Sequence, residues 1–241
     1  MIDIHCHILP GVDDGARNVL ESRAMLAAER ASGVDKVFLT PHFYPEKVSM
    51  EDFLGARAEA WEQLGSQQTT LQLRLGAEVR YCRQLLELDL RKVMMGDTDY
   101  LLLELPGGRY PPFTVQILEE LMERGIIPIL AHVERCSYFR EDSRLLKRLV
   151  DMGALAQVSA TALFDRTDHK FARACLEHGL AHIIASDAHN LNQRKPCMEL
   201  LNRLPAELLR VHEVCSEAVW NNDMIPYIRA TTVKKTFLGY R

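Results

Sequence analysis

The shortages in this chain exclude more than its abundances do. No uninterrupted apolar run approaches the roughly 20 residues of a membrane-spanning helix. Positive charge is not in excess: 29 Lys and Arg stand against 33 Asp and Glu, a net charge of -4. A nucleic-acid coat needs a concentrated basic surface, so that class is excluded. The six cysteines (Cys6, Cys82, Cys136, Cys175, Cys197 and Cys215) contain no CxxC pair. That spacing favours reduced thiols in a cytoplasmic enzyme over a disulfide framework. The N-terminus enters a strand-like segment at once, without the basic segment, apolar stretch and small-residue cleavage site of a signal peptide. No Ser/Gly/Pro-rich linker or low-complexity tract interrupts the 241 residues, so one domain over 1–241 is expected.

What is present is a rhythm. Hydrophobic residues make up 47% of the chain and charged residues 26%, as in ordinary globular proteins. Strand-like runs begin with IDIHCH and continue at 36–42, 71–79, 100–105, 126–132, 155–160 and 182–189. Amphipathic helical patterns fall between them at 17–32, 51–64, 113–125 and 143–153. Short apolar strands alternating with helices predict parallel βα units. Seven such strands predict a closed or nearly closed α/β barrel, and residues 197–241 read as helices plus a tail, VKKTFLGYR.

Polar residues recur where an apolar strand should end. His5 and His7 lie at the end of the first strand, on one side of it because strand side chains alternate. His42 ends the second strand, Glu78 the third, Glu104 the fourth, His132 the fifth, and Asp187 and His189 the seventh. Asp14 follows the first strand in VDDG. In parallel α/β folds the C-terminal strand ends converge on one face, so this topology brings distant residues together. A histidine after a strand, taken singly, is more often a hydrogen-bonded structural residue. Eight such groups at the same end of successive strands, with Asp14 in the first loop, are not so explained. Five imidazoles and four carboxylates exceed the needs of one ion, so two or three divalent ions are expected, with Glu78 able to bridge. A donor set without thiolates suits Mn, Fe or Zn in hydrolytic service. Clustered divalent ions acidify a bound water and offset charge on a phosphoryl transition state. Arg135 in AHVER and Arg194 in DAHNLNQR lie in loops of the same face, where guanidinium groups can grip phosphate oxygens.

The stretches MIDIHCHILPGVDDG, TPH, GAEVR, LLLELP, PILAHVERC, ASDAHN and KKTFLG together resemble the PHP (polymerase and histidinol phosphatase) superfamily of metal-dependent phosphoesterases. Within it, the chain is similar to bacterial protein-tyrosine phosphatases that regulate capsular and exopolysaccharide synthesis. The resemblance implies a distorted (β/α)7 TIM-like barrel, the PHP fold, holding three ions, usually manganese. It implies that His5, His7, Glu78 and Asp187 share one ion, that Glu104 and His132 hold a second bridged by Glu78, and that Asp14, His42 and His189 hold the third. It assigns Arg135 and Arg194 to the substrate phosphate and leaves His42 a candidate for the leaving-group proton. The implied partner is a phosphotyrosine protein, a membrane-associated tyrosine autokinase; neither nucleic acid nor direct membrane insertion is expected, and oligomers are compatible with it. Proline often follows the fifth-strand histidine in this family, whereas Val133 stands here.

Two alternatives remain open in the sequence. A PHP phosphatase for a small metabolite such as histidinol phosphate would use the same metals. A non-catalytic PHP module is disfavoured by the intact ligand set. Cys197 and Arg203 fit the C-x5-R spacing of thiol-dependent tyrosine phosphatases, but the residues between them are bulky helix formers without glycine, so a packed cysteine is expected. Cys6 is expected to pack on the face of its strand opposite the histidines.

Overall fold

The computed structural model describes residues 1–65, 69–164, 169–236 and 239–240. Strands β1 (Ile2–Cys6), β2 (Lys36–Leu39) and β4 (Gln72–Leu75) pair in parallel. Strands β3 (His42–Phe43), β5 (Glu78–Arg80), β6 (Tyr100–Glu104), β7 (Ile127–Leu130), β8 (Leu155–Ser159) and β9 (Ile183–Ala185) continue in that order, also parallel. Closure comes from β1 and the end of β9: Asp187 N–H donates to His5 O at 2.9 Å and His7 N–H to Ala188 O at 2.8 Å. The chain is the seven-strand distorted α/β barrel expected of it, with two strands broken. The strand expected at 36–42 divides into β2 and β3 at Pro41, which has no N–H for the ladder. That expected at 71–79 divides into β4 and β5 around Gly76 and Ala77, where Gly76 O accepts from Arg57.

The expected helices form as α1 (Val19–Ala31), α2 (Met50–Leu64), α3 (Thr114–Glu123) and α5 (Ser143–Asp151), preceded by a short α4 (Ser137–Glu141). Asn18 caps α1 by accepting from Glu21 N–H, and Ser49 caps α2 by accepting from Asp52 N–H. Later come α6 (His169–Glu177) and α7 (Ala206–Asn221). The tail forms a hairpin of β10 (Lys235–Thr236) and β11 (Gly239–Tyr240), while positions 237, 238 and 241 lie outside the described residues.

The barrel divides into an apolar layer and a polar one. Ile2, Ile4, Phe38, Tyr100, Leu102 and Ile129 pack together toward the strand starts. Trp220 of α7 lies against Phe38 with ring centroids 4.9 Å apart. Above them, where hydrophobic side chains would continue the filling, stand His5, His7, Glu78 and Gln157, all buried.

The loop after β1 is tied to this layer by backbone contact. A Cβ at Gly15 would lie 2.1 Å from His7 O and 2.5 Å from His7 Cβ. Gly15→Ala therefore must displace the β1 end, and chemical denaturation should show a loss of about 1–3 kcal/mol. Gly55, exposed in the middle of α2, has nothing within 4 Å of a built Cβ. Gly55→Ala should raise stability by about 0.5–1 kcal/mol through helix propensity; equal losses in both variants would contradict the close-approach account.

Candidate metal centre

The polar layer is organised around the Glu78 carboxylate. Its Oε2 lies 3.3 Å from His5 Nε2, 3.3 Å from His7 Nε2 and 2.8 Å from His42 Nδ1. Its Oε1 lies 2.7 Å from His132 Nε2. Asp187 Oδ1 faces the same histidines, 3.4 Å from His5 Nε2 and 3.5 Å from His7 Nε2. Asp14 Oδ1 lies 3.5 Å from both His42 Nε2 and His189 Nε2. Glu104 Oε1 is 3.9 Å from His132 Nε2 and is also paired with Arg80 at 2.7 Å. All nine residues singled out by their position at strand ends or in the first loop thus border one site. The ligand atoms of eight of them form three compact groups: His7, Asp14, His42 and His189; His5, His7 and Asp187; and His42, Glu78 and Glu104; His132 joins none of the three and meets the site through Glu78. Each group can hold a divalent metal ion.

Backbone geometry helps place two of these residues. His132 and Asp187 have φ of 30° and 51°, left-handed values uncommon outside glycine. Each is anchored by a buried polar partner. His132 N–H donates to Gln157 Oε1 at 2.9 Å. Ser186, next to Asp187, donates its N–H to Asp3 Oδ1 at 3.0 Å and its hydroxyl to Asp3 Oδ2.

Three imidazoles have their tautomer set from behind. His5 Nδ1 lies 3.2 Å from Gln157 Oε1, and His7 Nδ1 lies 2.6 Å from Asp13 Oδ2. His189 Nδ1–H donates to Asp187 O at 3.0 Å. Each arrangement directs Nε2 into the site, the usual support of a metal-bound histidine. Gln157, Asp13 and Asp3 are functional neighbours that strand-end reasoning did not assign roles. The sequence signals for them were thin: a glutamine breaking the apolar run LAQVS, and acidic residues beside the assigned ones.

The charge distribution fits cations. Burial alone would raise the Glu78 carboxyl, but the His5 charge and the His132 hydrogen bond outweigh it and hold it well below the usual range. Asp187 is held low against burial by His5, His7 and Arg135. Burial opposes protonation of His7, yet Asp13 raises it well above the ordinary imidazole value. Burial and the neighbouring His7 bring His189 down to about 3, so it stays neutral. Six buried atoms of this set, His42 Nδ1, Glu78 Oε2, Glu104 Oε2, His132 Nδ1, Asp187 Oδ1 and His189 Nε2, have no hydrogen-bond partner. Buried polar atoms are otherwise almost always paired. Four of the six, His42 Nδ1, Glu78 Oε2, Asp187 Oδ1 and His189 Nε2, face other members of the set across a few ångströms, an arrangement that divalent cations would satisfy.

Arg135 and Arg194 stand at the edge of the centre and converge on Asp187 Oδ2, Arg194 Nη2 at 2.7 Å. Both guanidinium groups remain partly open to solvent. The cysteines are elsewhere. All six are free and buried. Cys197 precedes a 3-10 turn, Met198–Arg203, with its thiol pushed up to about 12, chiefly by burial. Arg203 lies over the Phe164 ring at 4.6 Å. Cys6 Sγ–H points to Phe38 O.

Residues 1–209 match the family model for capsular polysaccharide synthesis proteins CpsB/CapC. The chain is 36% identical over 204 residues to the tyrosine-protein phosphatase YwqE of Bacillus subtilis, covering 80% of this chain and 79% of that protein. It is 33% identical over 215 residues to the tyrosine-protein phosphatase CpsB of Streptococcus pneumoniae, covering 83% and 87%. A crystal structure from work on YwqE and CpsB, described there as unique metal-dependent tyrosine phosphatases, superimposes with a TM-score of 0.87 at 31% identity, over 97% of this chain and 100% of that one. An inactive dihydroorotase-like domain of Chaetomium thermophilum, 11% identical at a TM-score of 0.58 over 96% of this chain and 81% of its own, shares the barrel alone. With strand-end ligands, closed barrel and family match in agreement, the chain belongs to the CpsB/CapC family.

Proposed function

We propose that residues 1–241 work as one phosphoesterase domain, a metal-dependent protein-tyrosine phosphatase. The observation that carries this reading is the convergence of nine strand-end and loop ligands, several with unpartnered buried atoms, beside two half-open arginines. The relatives named as tyrosine phosphatases supply the substrate class.

His5, His7, Asp14, His42, Glu78, Glu104, His132, Asp187 and His189 would hold the ions, with manganese first and iron or zinc as alternatives. Bound there, divalent ions supply an acidified water and offset the charge of a transferring phosphoryl group. The chain's own part is positioning. Gln157, Asp13 and the Asp187 carbonyl orient three imidazoles, and Arg135 with Arg194 binds the phosphate oxygens at the mouth. Both His42 nitrogens already face carboxylates, so we assign His42 to the ligand set and not to proton transfer. Tyrosine is a good leaving group, its phenol having a pKa of about 10, so departure depends little on a general acid. The family's place in capsular polysaccharide synthesis supports a membrane-associated tyrosine autokinase as the phosphotyrosine protein, met from the cytoplasmic side. Among the described residues no helix is long and apolar enough to cross a membrane.

Hydrolysis of a phosphotyrosine peptide and of histidinol phosphate, side by side, tests the reading. Turnover should favour the peptide, vanish after chelation and return with added Mn. Thiol alkylation under native conditions should leave it unchanged, since all six cysteines are buried. Preference for histidinol phosphate would overturn the substrate, and loss on alkylation would overturn the metal mechanism.

The shared Asp187 contact gives a second test. Arg135→Ala and Arg194→Ala should each lower kcat/KM on the peptide by about 100-fold, as when a donor to developing oxyanion charge is lost. Because the two guanidinium groups share one carboxylate oxygen, the double variant should lose less than the product of the single losses. Strictly multiplicative losses in a double-mutant cycle would show that the arginines act independently.

A further inference from the structure

A cavity of about 520 Å³ adjoins the metal centre, reaching His42 and Asp14 at one end. This size lies within the range of small-molecule sites. Its other walls are largely apolar, formed by Val12, Val48, Phe53 and Ala56. Three carboxylates border it, yet two are already committed. Asp13 accepts from His7, from His42 N–H and from Gly15 N–H. Asp52 accepts from the Ser49 hydroxyl at 2.6 Å in the cap of α2. Asp14 belongs to the ligand set. Among the described residues no Lys or Arg lines this cavity, so they offer nothing there to a second anionic group.

Tyr44 forms the wall between this cavity and a smaller one of about 330 Å³. One face of its ring stacks on His42, with centroids 4.9 Å apart and planes 25° apart. The Lys47 ammonium lies 4.8 Å from the ring centroid. The ring is therefore fixed by its neighbours and presents a ready-made aromatic edge beside the ligands. Val48, 41% exposed, is an apolar residue facing solvent that also lines the cavity.

We infer that this cavity is the aryl subsite: it takes the uncharged aromatic ring of an aryl phosphomonoester, with Tyr44 and Val48 selecting for that ring while the metal centre and the arginines take the phosphate. The inference rests on the phosphatase reading and deepens it, because it locates the discrimination between aryl and alkyl or polyanionic phosphates in the β3–α2 loop. The loop and α2 contribute Tyr44, Val48, Phe53 and Ala56, all outside the ion-holding set.

Equilibrium binding to the Mn-loaded full chain separates the subsite from the phosphate site. Calorimetry would compare phenylphosphonate with inorganic phosphate for the natural chain, Val48→Asp, Tyr44→Ala and Tyr44→Phe. The natural chain should prefer phenylphosphonate by roughly tenfold, the scale on which an apolar pocket discriminates. Val48→Asp and Tyr44→Ala should remove that preference while leaving phosphate affinity within about twofold, and Tyr44→Phe should keep it. Val48→Asp changes a surface loop residue, so it reports even if Tyr44→Ala disturbs His42. An unchanged preference in Val48→Asp would overturn the subsite, as would equal weakening of both ligands. A phenylphosphonate preference in the natural chain that Val48→Asp removes, together with absent phosphotyrosine turnover, would keep the subsite and defeat the phosphatase reading.

Discussion

Everything above the barrel's apolar layer depends on one carboxylate placed where water cannot reach it. Glu78 is fully buried at the start of the short β5, and a lone charge in such a place would cost several kcal/mol. It is tolerated because four histidines from three other strand ends and the loop after β1 aim ring nitrogens at it within 3.3 Å. Strands β1, β3 and β7 thus each deliver a partner as they build the barrel, so fold and site are one solution to one electrostatic problem. A barrel with a strand out of register would leave Glu78 or Asp187 buried without compensation. The site acts as a register lock as well as a reaction centre.

The lock is reinforced from below by a second buried polar cluster. Asp3 accepts from His5 N–H and from both donors of Ser186, binding the ends of β1 and β9 to each other. Glu29 of α1 sits 3.4 Å from the Ser186 hydroxyl. Burial, followed by the charge of Asp3, pushes the Glu29 carboxyl well above its usual range, and burial raises the Asp3 carboxyl as well. Two carboxyls so close favour one shared proton over two repelling charges. This cluster is joined through Ser186 to the left-handed Asp187, and Gln157 holds the left-handed His132. Strained backbone persists only where surrounding bonds over-determine it, and here the bonds come from the buried side chains of Gln157, Ser186 and Asp3.

That division explains what was legible in the sequence. The ligands were legible because they violate a local rule: His5, His42, Glu78, Glu104, His132 and Asp187 each end a run that should have stayed apolar. Strand periodicity and parallel topology then placed them on one face. Pro41 and Gly76 were visible too, but a run of apolar residues hides the fact that the ladder breaks there into two offset pieces. Gln157, Asp3 and Glu29 were harder. Each is a polar residue whose meaning lies in a partner far away in sequence, such as Asp3 with Ser186, and no local period encodes that pairing. The C-x5-R spacing at Cys197 shows the opposite error, a local pattern with no tertiary support: its thiol is buried and its arginine points to Phe164.

The arginines show how the same electrostatics prepares the mouth of the site. Arg135 and Arg194 come from different loops, after β7 and β9, and would ordinarily wander in solvent with a large loss of side-chain entropy on binding. Asp187 holds both by one oxygen while its other oxygen faces His5 and His7. The buried end of Asp187 thus belongs to the histidine layer and its outer end to the arginine rim. Any group entering at the rim meets guanidinium groups whose orientation is already fixed by the ligand set. The two guanidinium groups and the two imidazoles lie on opposite sides of a single carboxylate, which is why neither pair can be shifted without disturbing the other.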